Sequence, residues 1–275
     1  RFLYAPVYFS GVVAVRIDGR EAAEIPALNA PGRIGTVVTT VTPGPAFSLG
    51  RAEVVPLAPG TDLPAGFVTG APAPSPVVRD AVSAAVAGWR DAGHPKAAAG
   101  RQDITADHAN ARLDARVEMV PGPRAVLGRL GFAGQERMRE SRLRAIAGFP
   151  QGEVFSPAAI ARSADRLRRT GAFRSIAMTE AERIGPDGAL DVTATLIEEA
   201  PRRIGFGAEL GSLDGLSLSA FWLHRNLFGG AERLRVEGAV SQIGASRGGT
   251  DYRLGVSFER AATFTPDTSL GLSFG

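Results

Sequence analysis

The sequence predicts α+β repeats that lead into the N-terminal antiparallel strands of a membrane-spanning β-barrel. Three observations carry this: an internal repeat of 78 residues, a β-α-α-β-β order within it, and a switch from helical to alternating apolar period after Pro201. Pro43-Gly44-Pro45 followed by Leu49-Gly50-Arg51 recurs as Pro121-Gly122-Pro123 followed by Leu127-Gly128-Arg129, and the same step carries Pro123 to Pro201 and Gly93 to Gly171. Proline removes a ladder donor and glycine opens turn geometry, so each break ends one sheet and aims the chain into the next. The frame divides the chain into residues 1–44, the C-terminal part of one unit; 45–122 and 123–200, two complete units; and 201–275, about five strands of a barrel.

Residues 1–44 supply two strands, Val7 to Asp18 and Arg33 to Val41. In the next unit Phe47 to Val55 reads as a strand and Ser75-Pro76 opens a helix to about Ala92. Strands follow near 96–105 and 111–120. The stretch 56–74 is too rich in proline for a regular helix and reads as a long loop. The unit 123–200 is the clearest. It has a strand at Val126 to Phe132, a helix from Glu136 to Ala147 stopped by Gly148, and a second helix with Ser156 as N-cap and Pro157 in its first turn. That second helix carries Ile160, Ala164 and Leu167 on one stripe and ends at Gly171. Strands at about 172–182 and 189–199 are joined by the turn Gly185-Pro186-Asp187-Gly188.

After Pro201, Ile204, Phe206, Ala208 and Leu210 alternate with Gly205, Gly207 and Glu209. The pattern returns at Leu234 and Val236 against Arg233, Arg235 and Glu237, at Tyr252 to Phe258 against Arg253 to Glu259, and at Leu270 to Phe274. The segment 216–226 is less regular, because Phe221 and Leu223 interrupt its inner row. Connectors at Ser212 to Gly215, Leu227 to Gly230, Ile243 to Thr250 and Thr263 to Thr268 suit antiparallel hairpins. A soluble sandwich shows the same alternation. Its core would reject Arg233, Arg235, Glu237 and Glu259, whereas a wet barrel lumen accepts them. The alternation places those side chains in the lumen and Leu234, Val236 and Val240 against lipid.

Composition excludes several classes of function. The absence of Cys removes thiolate chemistry and Cys metal sites. The net charge is +3, and every basic residue except Lys96 is Arg, which reflects coding bias; without a basic run interleaved with aromatics, nucleic-acid binding is not supported. No apolar run is long enough for a transmembrane helix. Gly244-Ala245-Ser246-Arg247-Gly248 fits the nucleophile-elbow spacing, but a strand follows it and no His lies beyond His224, so a serine hydrolase is rejected. Gly205-Phe206-Gly207 has Leu210 where a dinucleotide loop needs its third glycine. His94, His108 and His224 share no metal-ligand spacing. Glu198 and Glu199 point to opposite faces of a strand and read as a solvated strand end. No cofactor is expected. Arg1 and the mid-pattern end at Gly275 lead to the expectation of a longer frame, with a signal peptide and a half-unit upstream and roughly eleven further strands downstream.

The stretch Leu218 to Leu234, LSAFWLHRNLFGGAERL, resembles the Asn-x-Phe-Gly turn between the second and third barrel strands of the BamA/TamA superfamily, and within it the TamA-like branch. Asn226, Phe228 and Gly229 match, while Ala231 stands where many members have a second glycine. The resemblance covers essentially the whole chain. It implies two POTRA domains, the tail of a third, and an outer-membrane barrel with the POTRA domains in the periplasm. It further implies assembly or translocation of unfolded outer-membrane and autotransporter clients in contact with the lipid bilayer, and an inner-membrane-anchored TamB-like partner. BamA itself, a two-partner-secretion transporter and a soluble periplasmic binding module are the rival readings.

Two devices would carry such a function. Exposed edge strands of the repeats offer unpaired backbone groups for β-augmentation. The first barrel strand, with Ile204, Gly205, Phe206, Gly207 and Gly211, is the candidate gating strand, because its glycines add no side-chain packing and weaken the seam.

Overall fold

The computed structural model describes residues 13–17, 20–21, 37–41, 45–212, 215–244 and 249–275, the strands before residue 45 as backbone only. Those first strands are β1 (Val13–Ile17), β2 (Arg20–Glu21) and β3 (Val37–Val41), ordered β2-β1-β3 with β1 antiparallel to both neighbours. β1 and β3 lie inside the two strands expected there. Residues 7–12, 18 and 33–36 of those expected strands, and Pro43-Gly44 of the first repeat break, lie outside the described residues.

The next strands are β4 (Ser48–Val55), β5 (Ala98–Asp107) and β6 (Arg112–Val120), with α1 (Pro76–Asp91) between the first two. They are followed by β7 (Val126–Ala133), α2 (Glu140–Ala147), α3 (Pro157–Arg169), β8 (Phe173–Glu180) and β9 (Ala189–Glu198). The two sheets have one plan, β4-β6-β5 and β7-β9-β8. In each the central strand of the sheet, β6 or β9, runs parallel to β4 or β7 on one side and antiparallel to β5 or β8 on the other. The chain divides into two compact units, residues 1–88 with 97–121, and 89–96 with 122–275.

The repeated Leu-Gly-Arg marks a shared irregularity. The parallel register shifts between Leu49 and Ala52 in one sheet and between Leu127 and Leu130 in the other. Leu49 and Leu127 are buried. A Cβ on Gly128 would stand 2.9 Å from the Leu190 carbonyl carbon, and one on Gly50 would overlap Arg112 and Asp114. Glycine is retained because the bulge brings the neighbouring strand too close for a side chain. The outer edges of β4 and β7 are covered. Leu49 N–H donates to Ala71 O at 2.8 Å and Leu127 N–H to Glu153 O at 2.8 Å, which leaves β5 and β8 as the free edges of their sheets among the described residues.

The long stretch 56–74 forms no helix, as its prolines require, yet it fills core space with Ala58 and Phe67. α3 is built as its local sequence dictates. Ser156 Oγ accepts from Ala159 N–H at 3.3 Å, Pro157 opens the first turn, and Ile160, Ala164 and Leu167 are buried on one stripe. Arg166, Arg168 and Arg169 in its last turn complement the helix dipole. Gly148 ends α2 in the left-handed conformation, φ 51°, where its N–H returns to Arg144 O. The core around these helices includes Leu127, Leu143, Ile146, Phe155, Leu167 and Leu190.

One element departs from expectation. α2 begins at Glu140 instead of Glu136. The N–H groups of Glu136, Arg137 and Met138 all point at Glu198 Oε1, each at 2.9 Å, so this segment curls around a carboxylate before it can turn helical. Glu198 is therefore more than a solvated strand end.

The last five strands are β10 (Arg202–Gly211), β11 (Gly215–His224), β12 (Glu232–Ile243), β13 (Asp251–Ala261) and β14 (Ser269–Phe274). They pair in chain order, every pair antiparallel. Among the described residues no helix is long and apolar enough to cross a membrane, which leaves crossing by strands untouched.

Candidate functional site

Ladder partners share a face, so the register sorts the five-stranded sheet into two surfaces. One row runs Phe206, Ala220, Gly238, Leu254 across β10 to β13, and the next runs Ala208, Leu218, Val240, Tyr252. Phe258–Leu272 and Val256–Phe274 continue this face onto β14. It is apolar from β10 to β14, and Phe206 and Phe274 are 85% and 80% exposed. The opposite face carries Arg233 with Glu259, Arg235 with Ser257, and Glu237 with Gly255. Arg235 also donates to Glu237 at 2.7 Å. A bulge at Gln242, φ 61°, shifts the β11–β12 register above Leu218, so the alternation is uninterrupted from 233 to 240.

This division gives an expected labelling pattern. In the complete protein in membranes, Cys substituted for Arg233, Arg235 or Glu237 should react with a water-soluble thiol reagent, and Cys substituted for Leu234, Val236 or Val240 should not. Charge on a lipid face costs about 2–4 kcal/mol at the midplane, which fixes the polarity of the sheet. Labelling of the even positions would reverse it.

The glycines of β10 have a use beyond loosening the strand. Its ten residues pair with β11 without a break, from Arg202 with His224 to Gly211 with Gly215. Gly205 lies opposite Phe221, and a Cβ on Gly205 would overlap the Phe221 ring; one on Gly207 would stand 2.7 Å from Ser219 Oγ. Phe221 therefore occupies space that the glycine vacates, beneath the Arg235 guanidinium at 4.2 Å and the Arg203 guanidinium at 5.9 Å. Its apparent break in the inner row is a ring covered by two cations. Leu223, the other break, is 3% exposed. Ile204 and Phe206 lie on the apolar face, and the outer edge of β10 is unpaired among the described residues.

The turn from β11 to β12 is closed by its own side chains. Asn226 Oδ1 accepts from Ala231 N–H at 3.0 Å, and Glu232 Oε2 accepts from Phe228 N–H at 3.1 Å and Gly230 N–H at 2.9 Å. Gly229 has φ 77° and Ala231 φ 62°, so Ala231, the departure from the resembled turn, takes a left-handed backbone. Phe228 is exposed.

The same turn meets α2. Gly229 O accepts from Arg139 N–H at 2.9 Å, and Arg142 donates to Ala261 O at 2.6 Å at the end of β13 and to Ala262 O at 3.3 Å just beyond it. Arg166 Nε donates to Asp267 Oδ1 at 2.8 Å, and Arg169 reaches the same oxygen at 3.2 Å. Hydrogen bonding from Arg166 holds the Asp267 carboxyl below its ordinary range. Ala231 and Ala262 are buried in the same apolar cluster as Leu143 and Phe155, so both turns are packed into the core of the preceding α/β sheet layer.

The free edge of β8 borders a groove of about 370 Å³ beside α3, lined by Ile160, Ala164, Ile176 and Met178 with Arg168 and Glu180 also on its wall. Glu180 is ion-paired with Arg90. An unpaired strand edge next to a groove of mixed apolar and charged lining can accept an extended segment as a further strand.

Residues 125–198 match the family model described as "POTRA: Surface antigen variable number repeat". This segment is a POTRA domain. Among solved structures, the chain is similar to BamA of Haemophilus ducreyi lacking POTRA domains 1–3, at 22% identity and a TM-score of 0.62, over 75% of this chain and 37% of that one. It is also similar to POTRA domains 3–5 of Haemophilus influenzae BamA, at 18% identity and a TM-score of 0.51, over 69% and 72% of the two chains. No curated protein matches the sequence. Over the matched residues the chain shares the fold of these BamA structures, and it spans little more than a third of the first. Nothing in these likenesses distinguishes a TamA-like branch.

The POTRA domain and the barrel strands account for the residues singled out in the sequence in different ways. Gly205 and Gly207 face Phe221 and Ser219, Asn226 and Gly229 shape the turn held against the POTRA domain, and Ile204, Phe206 and Phe228 are exposed. His94 lies 2.8 Å from Gly122 O, His108 stacks edge-on to Phe47, and His224 Nδ1 accepts from Asn226 N–H. Among the described residues no three His, Asp or Glu side chains converge as a metal site. Ala245 to Gly248, with Ser246, lie outside the described residues; the strand β13 follows them. Sequence reasoning missed Arg139, Arg142, Glu232 and Asp267. The arginines of α2 and α3, more than a helix C-terminus uses, were a signal for Arg142 alone; Arg139, Glu232 and Asp267 carried none.

Proposed function

We propose that this chain is the POTRA and barrel-start portion of an outer-membrane assembly or translocation factor, with residues 1–44 ending one POTRA domain, 45–122 and 123–200 forming two more, and the barrel beginning at 201. The observation that carries the reading is a sheet fed directly by a POTRA domain, apolar on one face across all five strands and charged on the other. The work is mechanical and uses no nucleophile, metal or cofactor. Unfolded outer-membrane or autotransporter clients, or a TamB-like inner-membrane-anchored partner, add a strand to the β8 edge through backbone hydrogen bonds. The β10 edge then opens toward the bilayer and templates the first client strand. Gly205, Gly207 and Gly211 leave the polar face of β10 with only Arg203 and Glu209 as side chains of its own, and Phe221 of the next strand covers the space at Gly205.

The test is a disulfide between β10 and the closing strand of the complete barrel. Client insertion should stop in the oxidised protein and recover on reduction, while Ser246→Ala should insert at the normal rate. Normal insertion by the locked barrel would remove lateral opening from the mechanism.

A further inference from the structure

Arg260 stands at the foot of the apolar face. It continues the row Tyr252, Leu254, Val256, Phe258 along β13, and its ladder partners are Glu232 on β12 and Leu270 on β14. Arg142 of the POTRA helix α2 lies beside it. Burial and the charge of Arg260 lower the pKa of Arg142, and Arg260 acts on it more strongly than Glu232 does. Among the described residues neither arginine is ion-paired, and the Nε of each is buried without a hydrogen-bond partner. Glu232, the nearest acid, is already engaged: Oε2 holds two turn N–H groups, and Oε1 lies 3.8 Å from Arg139. The terminal nitrogens of Arg142 are taken by two backbone carbonyls, which carry no compensating charge. Two adjacent cations thus share one carboxylate that is already engaged, and neither has an ion pair of its own among the described residues, at the point where an apolar surface ends.

We infer that Arg260, reinforced by the charge of Arg142 beside it, binds the phosphate of a phospholipid whose acyl chains lie along Phe258, Leu234 and Leu270. The guanidinium fork suits phosphate oxygens, and the apolar rows directly above supply the surface that acyl chains need. A bound lipid would tie the POTRA domain to the barrel rim, since Arg142 belongs to the first and Arg260 to the second. The inference rests on the barrel reading above.

The complete protein in detergent, titrated with dioleoylphosphatidylglycerol and followed by native mass spectrometry, tests it. Phosphatidylglycerol should bind about tenfold more tightly than dioleoylglycerol, the same chains without phosphate, and Arg260→Gln should erase most of that difference. Arg142→Gln should do the same, but because Arg142 also holds the turn, Arg260→Gln is the deciding variant once heat-modifiable mobility shows the barrel folded. Arg233→Gln, on the opposite face, should change nothing. Equal binding of both lipids, or phosphatidylglycerol binding unchanged in the Arg260 variant, overturns the site and leaves the barrel standing. Glycerol phosphate competing as strongly as the lipid would make this a soluble-anion site and also overturns it. If no lipid of either kind is retained, the barrel reading itself falls.

Discussion

Phe155→Ala should destabilise the POTRA domain at residues 125–198 by about 3–5 kcal/mol, the cost of emptying a large aromatic site in a packed core. Among the described residues Phe155 is the bulkiest fully buried side chain, at 0% exposure. It sits on the segment that covers the edge of β7, where its N–H donates to Ala125 O at 3.0 Å, and the Arg90 guanidinium lies 5.2 Å from its ring. The substitution therefore removes core volume and a cation–π contact together while the backbone bond remains. The adjacent Val154 is 44% exposed, so Val154→Ala should cost no more than about 0.5 kcal/mol. Urea denaturation of the domain, followed by circular dichroism, compares the two. Equal losses would mean that the core lies elsewhere.

What the sequence reveals about this fold follows the range over which the causes act. α3 is legible because Ser156, Pro157 and the stripe Ile160, Ala164, Leu167 act within a few residues of one another. The barrel strands are legible for the same reason, since alternation is a property of each strand alone. The start of α2 is not. The carboxylate that captures the N–H groups of residues 136–138 belongs to Glu198, about sixty residues later in the chain, and no local propensity announces it.

The candidate site divides in the same way. The Asn226 to Gly229 turn can be read from its residues, because Asn226 caps it and Gly229 takes a left-handed backbone. Its docking onto the POTRA domain cannot, because Arg142 meets the carbonyls of Ala261 and Ala262, and backbone carbonyls leave no mark in a sequence. Phe221 shows a further limit. Within β11 alone it is an apolar error in a polar row, and only the register opposite Gly205 shows that a missing side chain on one strand accommodates a large one on the next.

Glu198→Gln should lower the stability of the same domain by about 1–2 kcal/mol near neutral pH, and the deficit should disappear in acid. Burial alone would raise the pKa of Glu198, but the N–H groups of Arg137, Met138 and Glu136 together lower it below its ordinary value. A carboxylate with a depressed folded-state pKa stabilises fully above its unfolded value of about 4.3, and that stabilisation is lost as pH falls through the folded value. Wild-type stability should therefore fall on acidification below about pH 4, with a smaller fall in the Gln variant, whose amide oxygen still accepts hydrogen bonds but carries no charge to titrate. The amides of residues 136–138 should lose hydrogen-exchange protection in the variant at neutral pH, because those three N–H groups have Glu198 Oε1 as their acceptor. Denaturation midpoints measured near pH 7 and near pH 3 decide the matter. A deficit of equal size at both would mean that lost packing, and not the anion held by three backbone groups, accounts for the effect.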